Sequence, residues 1–183
     1  MDTTHTDTEC EQLNYSNTDK ENDELKLNDK WALTYHLPFD DSWEIDSYKS
    51  ICEFDTVADC VKLTNNISEL LITNCMFFLM RNHIKPIWED ANNINGGCFS
   101  LKIQNRFIYK TWNTLIYSIV GETLFSDENK MKNVNGITIS PKKYFCIIKI
   151  WMKTCEYTDV HDINKTPGIS YETCMFKRHS VTN

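Results

Sequence analysis

Two tryptophans, Trp43 and Trp88, and the glutamate after the second, Glu89, are the residues of this chain best suited to chemistry. Two indoles can close on the two faces of one flat aromatic ring. A carboxylate at the rim can accept hydrogen bonds from that ring's edge. Neutral guanine presents N–H donors on its Watson–Crick edge, and Glu89 can read them. A guanine methylated on N7 is a cation, and two electron-rich indole faces then add a cation–π attraction of up to about 2 kcal/mol when desolvated. Most tryptophans are core residues rather than platforms. These two have a different setting. Trp43 lies in Phe39-Asp40-Asp41-Ser42-Trp43-Glu44, a polar turn, and Trp88 in Lys85-Pro86-Ile87-Trp88-Glu89-Asp90, a loop led by proline. Neither is in an apolar run, so both indoles are expected near solvent.

Other chemistries find less support. There is no clustered set of acids to hold Mg²⁺ and no Gly-rich methyl-donor loop after a strand. His36, His83, His161 and His179 are scattered, and no nucleophile–base pair can be argued from them. The eight cysteines (Cys10, Cys52, Cys60, Cys75, Cys98, Cys146, Cys155, Cys174) include no C-x-x-C pair. Several sit in apolar stretches, as in Cys75-Met76-Phe77-Phe78, and read as reduced, small hydrophobes. No enzyme, metal or cofactor is expected.

The elements that must position the tryptophans follow from pattern. Trp31 to Tyr35 and Ser47 to Cys52 read as strands. Thr56 followed by Asp59 is a capping-box-like start for a helix, with Val57, Cys60, Val61 and Ile67 roughly on one face. Cys75 to Met80 is a short buried strand. Asn95-Gly96-Gly97 is a turn, and Cys98 to Ile103 alternates out of it. Phe107 to Gly121 reads as an amphipathic helix with Trp112, Leu115, Ile116, Ile119 and Val120 as its stripe. Gly136 to Ser140 and Tyr144 to Met152 read as two strands, and Ile169 to Met175 as a last one. Strands outnumber helices without strict alternation. The expected class is α+β, an antiparallel sheet with helices on one face.

At 183 residues the chain has room for one domain and a tail. Its net charge of −7 is unevenly spread. Nine of the 26 acidic residues and two of the 19 basic ones fall in residues 1–29, which leaves 17 of each in 30–183. Residues 1–29 are therefore expected to be a disordered acidic tail, and 30–183 the folded domain. A neutral body suits a local phosphate site but not a long RNA track, which needs a basic stripe. No apolar run approaches membrane-spanning length, and the first residues lack a basic, apolar leader. A cytoplasmic monomer is expected.

The order of these pieces resembles the cap-binding translation initiation factor 4E family. Lys30-Trp31-Ala32-Leu33 resembles its opening strand, and Trp43 follows in a polar loop. Phe54-Asp55-Thr56-Val57-Ala58-Asp59 resembles its first-helix signature. Ile84-Lys85-Pro86-Ile87-Trp88-Glu89-Asp90 with Gly96-Gly97 resembles the loop of its second stacking Trp. Trp112 to Gly121-Glu122 resembles its second helix, and Ile148-Lys149-Ile150-Trp151 the strand whose Trp touches the methyl group. The resemblance implies a curved antiparallel sheet with helices on its convex back and a cap slot on its concave front. It implies that Trp43 and Trp88 stack on 7-methylguanine, that Glu89 pairs with the base edge, that Trp151 packs near the methyl, and that Lys142 grips the phosphates.

Three departures accompany the resemblance. Cys98 and Ile147 stand where the family usually has basic residues, and Lys149, two residues on and on the same strand face as Ile147, is a substitute, as are Lys143, Lys177 and Arg178. Val61 stands where the family has a Trp that docks a helix of the scaffold factor 4G or of repressors. Asn113 and Thr114 replace a Leu and an acid, while Val57, Tyr117 and Gly121 stay suitable. Finally, the stretch after Trp151 is short, so a third helix is expected to be absent or reduced to a turn. The leading function is cap binding in translation initiation, with a scaffold 4G-like partner or a divergent replacement. The alternatives are a cap-binding repressor or cap-shielding regulator that does not recruit the scaffold, a cap-processing enzyme, and an interaction protein with a dead slot. Richness in Asn, Ile and Lys suits an A+T-rich viral or protist genome.

Overall fold

The computed structural model describes residues 25–179. Seven strands form one sheet: β1 (Lys26–His36), β2 (Lys49–Thr56), β3 (Met76–Arg81), β4 (Gly97–Gln104), β5 (Val134–Pro141), β6 (Phe145–Met152) and β7 (Met175–Arg178). Their order is β2-β1-β3-β5-β6-β4-β7, and every neighbouring pair is antiparallel. Register shifts in β1 and at Val134/Gly136 in β5 are the irregularities that bend such a sheet into a curve.

Alternation along each strand separates two faces. Trp31 and Leu33 of β1, Phe77 and Leu79 of β3, Ile137 and Ile139 of β5, Ile148 and Ile150 of β6, and Phe99 and Leu101 of β4 join the main core. The residues between them, such as Phe78, Thr138, Lys149 and Ser100, face the other way, onto the site side.

Four helices occur among the described residues: α1 (Val57–Asn66), α2 (Glu69–Asn74), α3 (Asn105–Val120) and α4 (Glu128–Lys132). The helix α3 buries Ile108, Trp112, Leu115, Ile116, Ile119 and Val120 against the core face. At fully buried Leu- or Ile-sized side chains, each contributes about 1.5–3 kcal/mol of transfer free energy. Thr56 caps α1 as read: its Oγ1 accepts from the Asp59 N–H at 3.0 Å and donates to Asp59 Oδ2 at 2.8 Å.

Several boundaries differ from expectation. β1 starts at Lys26, inside the segment read as tail, because Lys26 pairs with Thr56 and its ammonium meets Asp55 at 3.1 Å. The rest of that tail, residues 1–24, lies outside the described residues. β2 starts at Lys49, after a 3-10 turn at Ile45–Ser47. The last strand starts at Met175, not Ile169. Gly168 turns the chain at φ 90°, and the Tyr171 hydroxyl closes the loop by accepting from the Thr166 N–H and donating to Asn164 O. Between Met152 and Met175 only two 3-10 turns appear, Val160–Asp162 and Tyr171–Thr173, so the expected loss of a third helix holds.

Candidate functional site

Three elements bring the aromatic residues together. The β1–β2 loop carries Trp43, the β3–β4 loop carries Trp88 and Glu89, and β6 carries Trp151. All four line one cleft of about 380 Å³, with Tyr48, Met76, Phe78, Pro86, Ile87, Thr138, Ser140 and Lys149 completing its wall. Trp43 is 55% exposed, and Trp88 is half-buried against Met80, Ile84 and Trp151. Trp151 is buried, and its Nε1–H donates to Thr138 Oγ1 at 3.2 Å. The setting near solvent expected for both indoles is seen for Trp43, while Trp88 is half-buried beside Trp151, the residue that the resemblance implied.

The β3–β4 loop has no regular structure, so its backbone polar groups need partners elsewhere. Asn93 supplies them. This fully buried side chain donates from Nδ2 to Lys85 O at 3.0 Å and to Ile87 O at 2.8 Å. Its Oδ1 accepts from Asn135 Nδ2 at 2.9 Å, which also reaches Asn92 O. His179 adds a clamp from the far end of the chain: its Nδ1 donates to Asn93 O at 2.8 Å and its backbone N–H to Gly96 O at 3.0 Å. Burial, with the nearby Lys149, holds the His179 imidazole below its ordinary pKa. Asp90 holds the same loop by accepting from the backbone of Lys85 and Asn92.

The electrostatics fit a base with a donor edge. Burial, aided by the Glu89 charge, pushes the Tyr48 hydroxyl up to about 12. Tyr48 is therefore neutral, and Glu89 is the carboxylate that lines the cleft.

Beside the cleft a second groove of about 450 Å³ runs over β6, β4 and β7, lined by Lys102, Lys149, Lys177, Arg178 and His179 with Cys98, Ser100 and Ile147. Among the described residues, no acidic side chain lines it. Lys149 lines both spaces. Cys98 and Ile147 contribute no charge, as the sequence implied. Burial pushes the Cys98 thiol up while the ammoniums of Lys149 and Lys177 pull it down, which reports the positive field there. Lys142 is elsewhere. It is exposed on the β5–β6 turn, outside the lining of both spaces, because its backbone closes that turn through the Phe145 carbonyl.

On the helical side, Val57, Val61 and Tyr117 are 37%, 41% and 41% exposed. Thr64 Oγ1 and the Tyr117 hydroxyl meet at 2.5 Å, joining α1 to α3. Asn113 Oδ1 is buried and has no hydrogen-bond partner among the described residues. Gly121 ends α3, and a Cβ there would stand 2.8 Å from Tyr117 O.

Sequence reasoning missed Tyr48, Asn93, Asn135 and Thr138, and gave His36 and His179 no role. For His36 a signal existed: Trp31, Leu33 and Tyr35 of β1 point to the core, so Thr34 and His36 fall on the other face. The asparagines carry no such period.

The family model for eukaryotic initiation factor 4E matches residues 26–177. The eukaryotic translation initiation factor 4E homolog of Acanthamoeba polyphaga mimivirus is 29% identical over 137 residues, 63% of this chain and 50% of that protein. This chain thus spans about half the length of that relative. The initiation factor 4E of Eremothecium gossypii is 32% identical over 146 residues, 75% of this chain and 67% of that one. Among solved structures, the C. elegans eIF4E-3 complex with the 4E-binding protein Mextli and cap analog has a TM-score of 0.64 at 26% identity, covering 72% of this chain and 75% of that one. Ascaris suum eIF4E-3 with m7G cap has a TM-score of 0.63 at 27% identity, covering 71% and 74%.

Proposed function

This chain belongs to the eukaryotic initiation factor 4E family, and on that premise we propose that it binds the 7-methylguanosine cap of mRNA and acts in translation initiation. The observation that carries the reading is the single cleft walled by Trp43, Trp88, Glu89 and Trp151. The methylated base stacks between Trp43 and Trp88. Its cationic ring gains from both indole faces, which separates it from unmethylated guanine. Glu89 accepts from the Watson–Crick N–H groups, and Trp151 borders the methyl. The phosphate chain leaves past Lys149 into the basic groove rather than toward Lys142. That route places point charges of Lys149, Lys177 and Lys102 on the phosphates, with Arg178 supplying a guanidinium in the same groove. The protein is a non-catalytic binding module: it holds the cap and alters no bond in it.

The partner is a helix of a scaffold 4G-like protein, or a replacement suited to this chain. The C. elegans relative in complex with a 4E-binding protein supports a docking surface of this kind. The surface here is Val57, Val61, Asn113, Tyr117 and Gly121. With Val61 in place of a Trp, it offers a ligand helix less apolar area. That observation favours one second reading, a cap-binding repressor or cap-shielding regulator that does not recruit the standard scaffold. A monomer acting in the cytoplasm suits both, and the mimivirus relative accords with a viral source.

Capture on immobilised 7-methyl-GTP tests the cap reading. Retention that free 7-methyl-GTP releases and GTP does not is the expected result. A protein that flows through, or that GTP elutes equally well, contradicts it. A pull-down of a 4G fragment by the captured protein then separates the initiation reading from the repressor reading.

A further inference from the structure

We propose that His36 is the positioning residue of the cleft: its ring backs the Trp43 indole, and its charge state tunes how well that indole holds a cationic base. The inference rests on the cap reading and deepens it.

His36 is fully buried at the end of β1. Its ring stacks on Trp43 with centroids 4.3 Å apart and planes 1° from parallel. Its Nε2 lies 2.7 Å from Ser42 O, the carbonyl just before Trp43. A carbonyl only accepts, so Nε2 carries the hydrogen. One imidazole therefore fixes both the backbone and the ring of Trp43. Tyr48 meets both rings edge-on, at 5.3 Å from His36 and 6.5 Å from Trp43. With the imidazole on one face of the indole, only the other face is open to a ligand.

The remaining nitrogen, Nδ1, is buried and has no partner among the described residues. A proton there creates a cation on the rear of an indole whose front holds a second cation, the methylated base. The two repel through the ring and draw on the same π density. Among the described residues, the groups packed on His36 carry no charge to offset it. Tyr48 is neutral, and Met76, which pairs with His36 across β1–β3, has none. Glu89 lines the cleft, and the β1–β2 connection carries Asp40, Asp41, Glu44 and Asp46, of which Asp40 accepts from the Ser42 N–H.

The test titrates 7-methyl-GTP into the full chain and into His36→Phe and His36→Ala, at pH 7.5 and at pH 5.5, with circular dichroism to confirm folding. Phenylalanine keeps the stack and cannot be charged. The wild type is expected to bind roughly threefold to tenfold more weakly at the lower pH. His36→Phe keeps the stacked ring but loses the bond to Ser42 O, so it should bind more weakly than wild type at pH 7.5, though less so than His36→Ala, and should hold that affinity on acidification. His36→Ala, without a stacked ring behind Trp43, should bind about threefold to tenfold more weakly at both. His179 and the ligand's own ionisation are common to all three proteins and cancel in the ratios. A His36→Phe protein with the wild-type pH profile overturns the tuning, and this comparison stands even if His36→Ala does not fold. A folded His36→Ala protein that binds like wild type overturns the positioning. Absence of any wild-type binding overturns the cap reading itself, and this inference with it.

Discussion

The buried carboxamides of Asn93 and Asn135 are joined by a 2.9 Å hydrogen bond, Nδ2 of Asn135 donating to Oδ1 of Asn93. This contact ties the loop bearing Trp88 and Glu89 to β5. The other end of Asn93 holds the carbonyls of Lys85 and Ile87. The loop is thus set before any ligand arrives, and little ordering cost remains for binding.

Asn93→Ala should therefore weaken cap binding without touching the ligand. It leaves two carbonyls and the Asn135 amide short of partners, at about 1–3 kcal/mol for each buried group left unpaired. Thermal unfolding should shift down by several degrees, and 7-methyl-GTP affinity should fall at least tenfold. Unchanged affinity in a folded Asn93→Ala protein would show that the loop is held by other means.

Glu89→Ala and Trp88→Ala should each cripple cap binding and leave the fold intact. Glu89 is exposed, so its loss exposes no core. Its hydrogen bonds to a cationic base are charge-assisted, about 1.5–3 kcal/mol each. Circular dichroism and a titration check both halves. A Glu89→Ala protein with wild-type affinity would remove Glu89 from the site.

Removal of residues 1–24 should leave cap affinity intact and raise it slightly at low salt. The segment carries eight acids and one lysine, an unfavourable neighbour for bound phosphates. Truncation at Lys26 or beyond would cut into β1 and is a different experiment. The prediction is wrong if the shortened chain is folded and binds no cap.

The docking face should respond to restoration of apolar anchors. Val61→Trp with Asn113→Leu adds apolar area to the α1–α3 face and removes the carboxamide whose Oδ1 is buried with no partner among the described residues. Affinity for a standard scaffold 4G peptide should rise about tenfold or more. Tight wild-type binding that the two changes leave alone would mean that this surface is already conventional.

His179 should make stability fall in mild acid. Its folded pKa is depressed by burial and by Lys149, so the unfolded chain takes up the proton first. Stability is then full above the unfolded value near 6.5 and declines as pH drops below it. Melting temperatures at pH 7.5 and pH 5.5 should differ less in His179→Gln than in wild type. An equal drop in both proteins would assign the acid sensitivity elsewhere.

Much of this architecture was legible because it rests on local rules. The Thr56–Asp59 cap starts a helix, the α3 stripe repeats at helical spacing, and Phe145 to Met152 alternates between core and cleft. Trp43, Trp88 and Glu89 stood out by residue type and setting, and Trp151 only by the resemblance of its strand. What escaped depends on tertiary placement. Helices α2 and α4 are six and five residues long, too short to show a period. The groove cations were ambiguous because only the β4–β7 register puts Lys177 opposite Cys98, while Lys142 falls on a turn. The left-handed residue after α3 is Glu122, at φ 55°, and not Gly121. Its carboxylate reaches Asn28 and the buried Arg81, contacts that local sequence does not announce.

The central claim is that Trp43 and Trp88 hold a methylated, cationic guanine. The most direct measurement is tryptophan fluorescence during titration with 7-methyl-GTP and, separately, with GTP. The account predicts quenching by 7-methyl-GTP with an affinity at least tenfold above that for GTP, as expected for about 1.4 kcal/mol or more of added cation–π attraction. Equal affinities, or no quenching by either nucleotide, would contradict it.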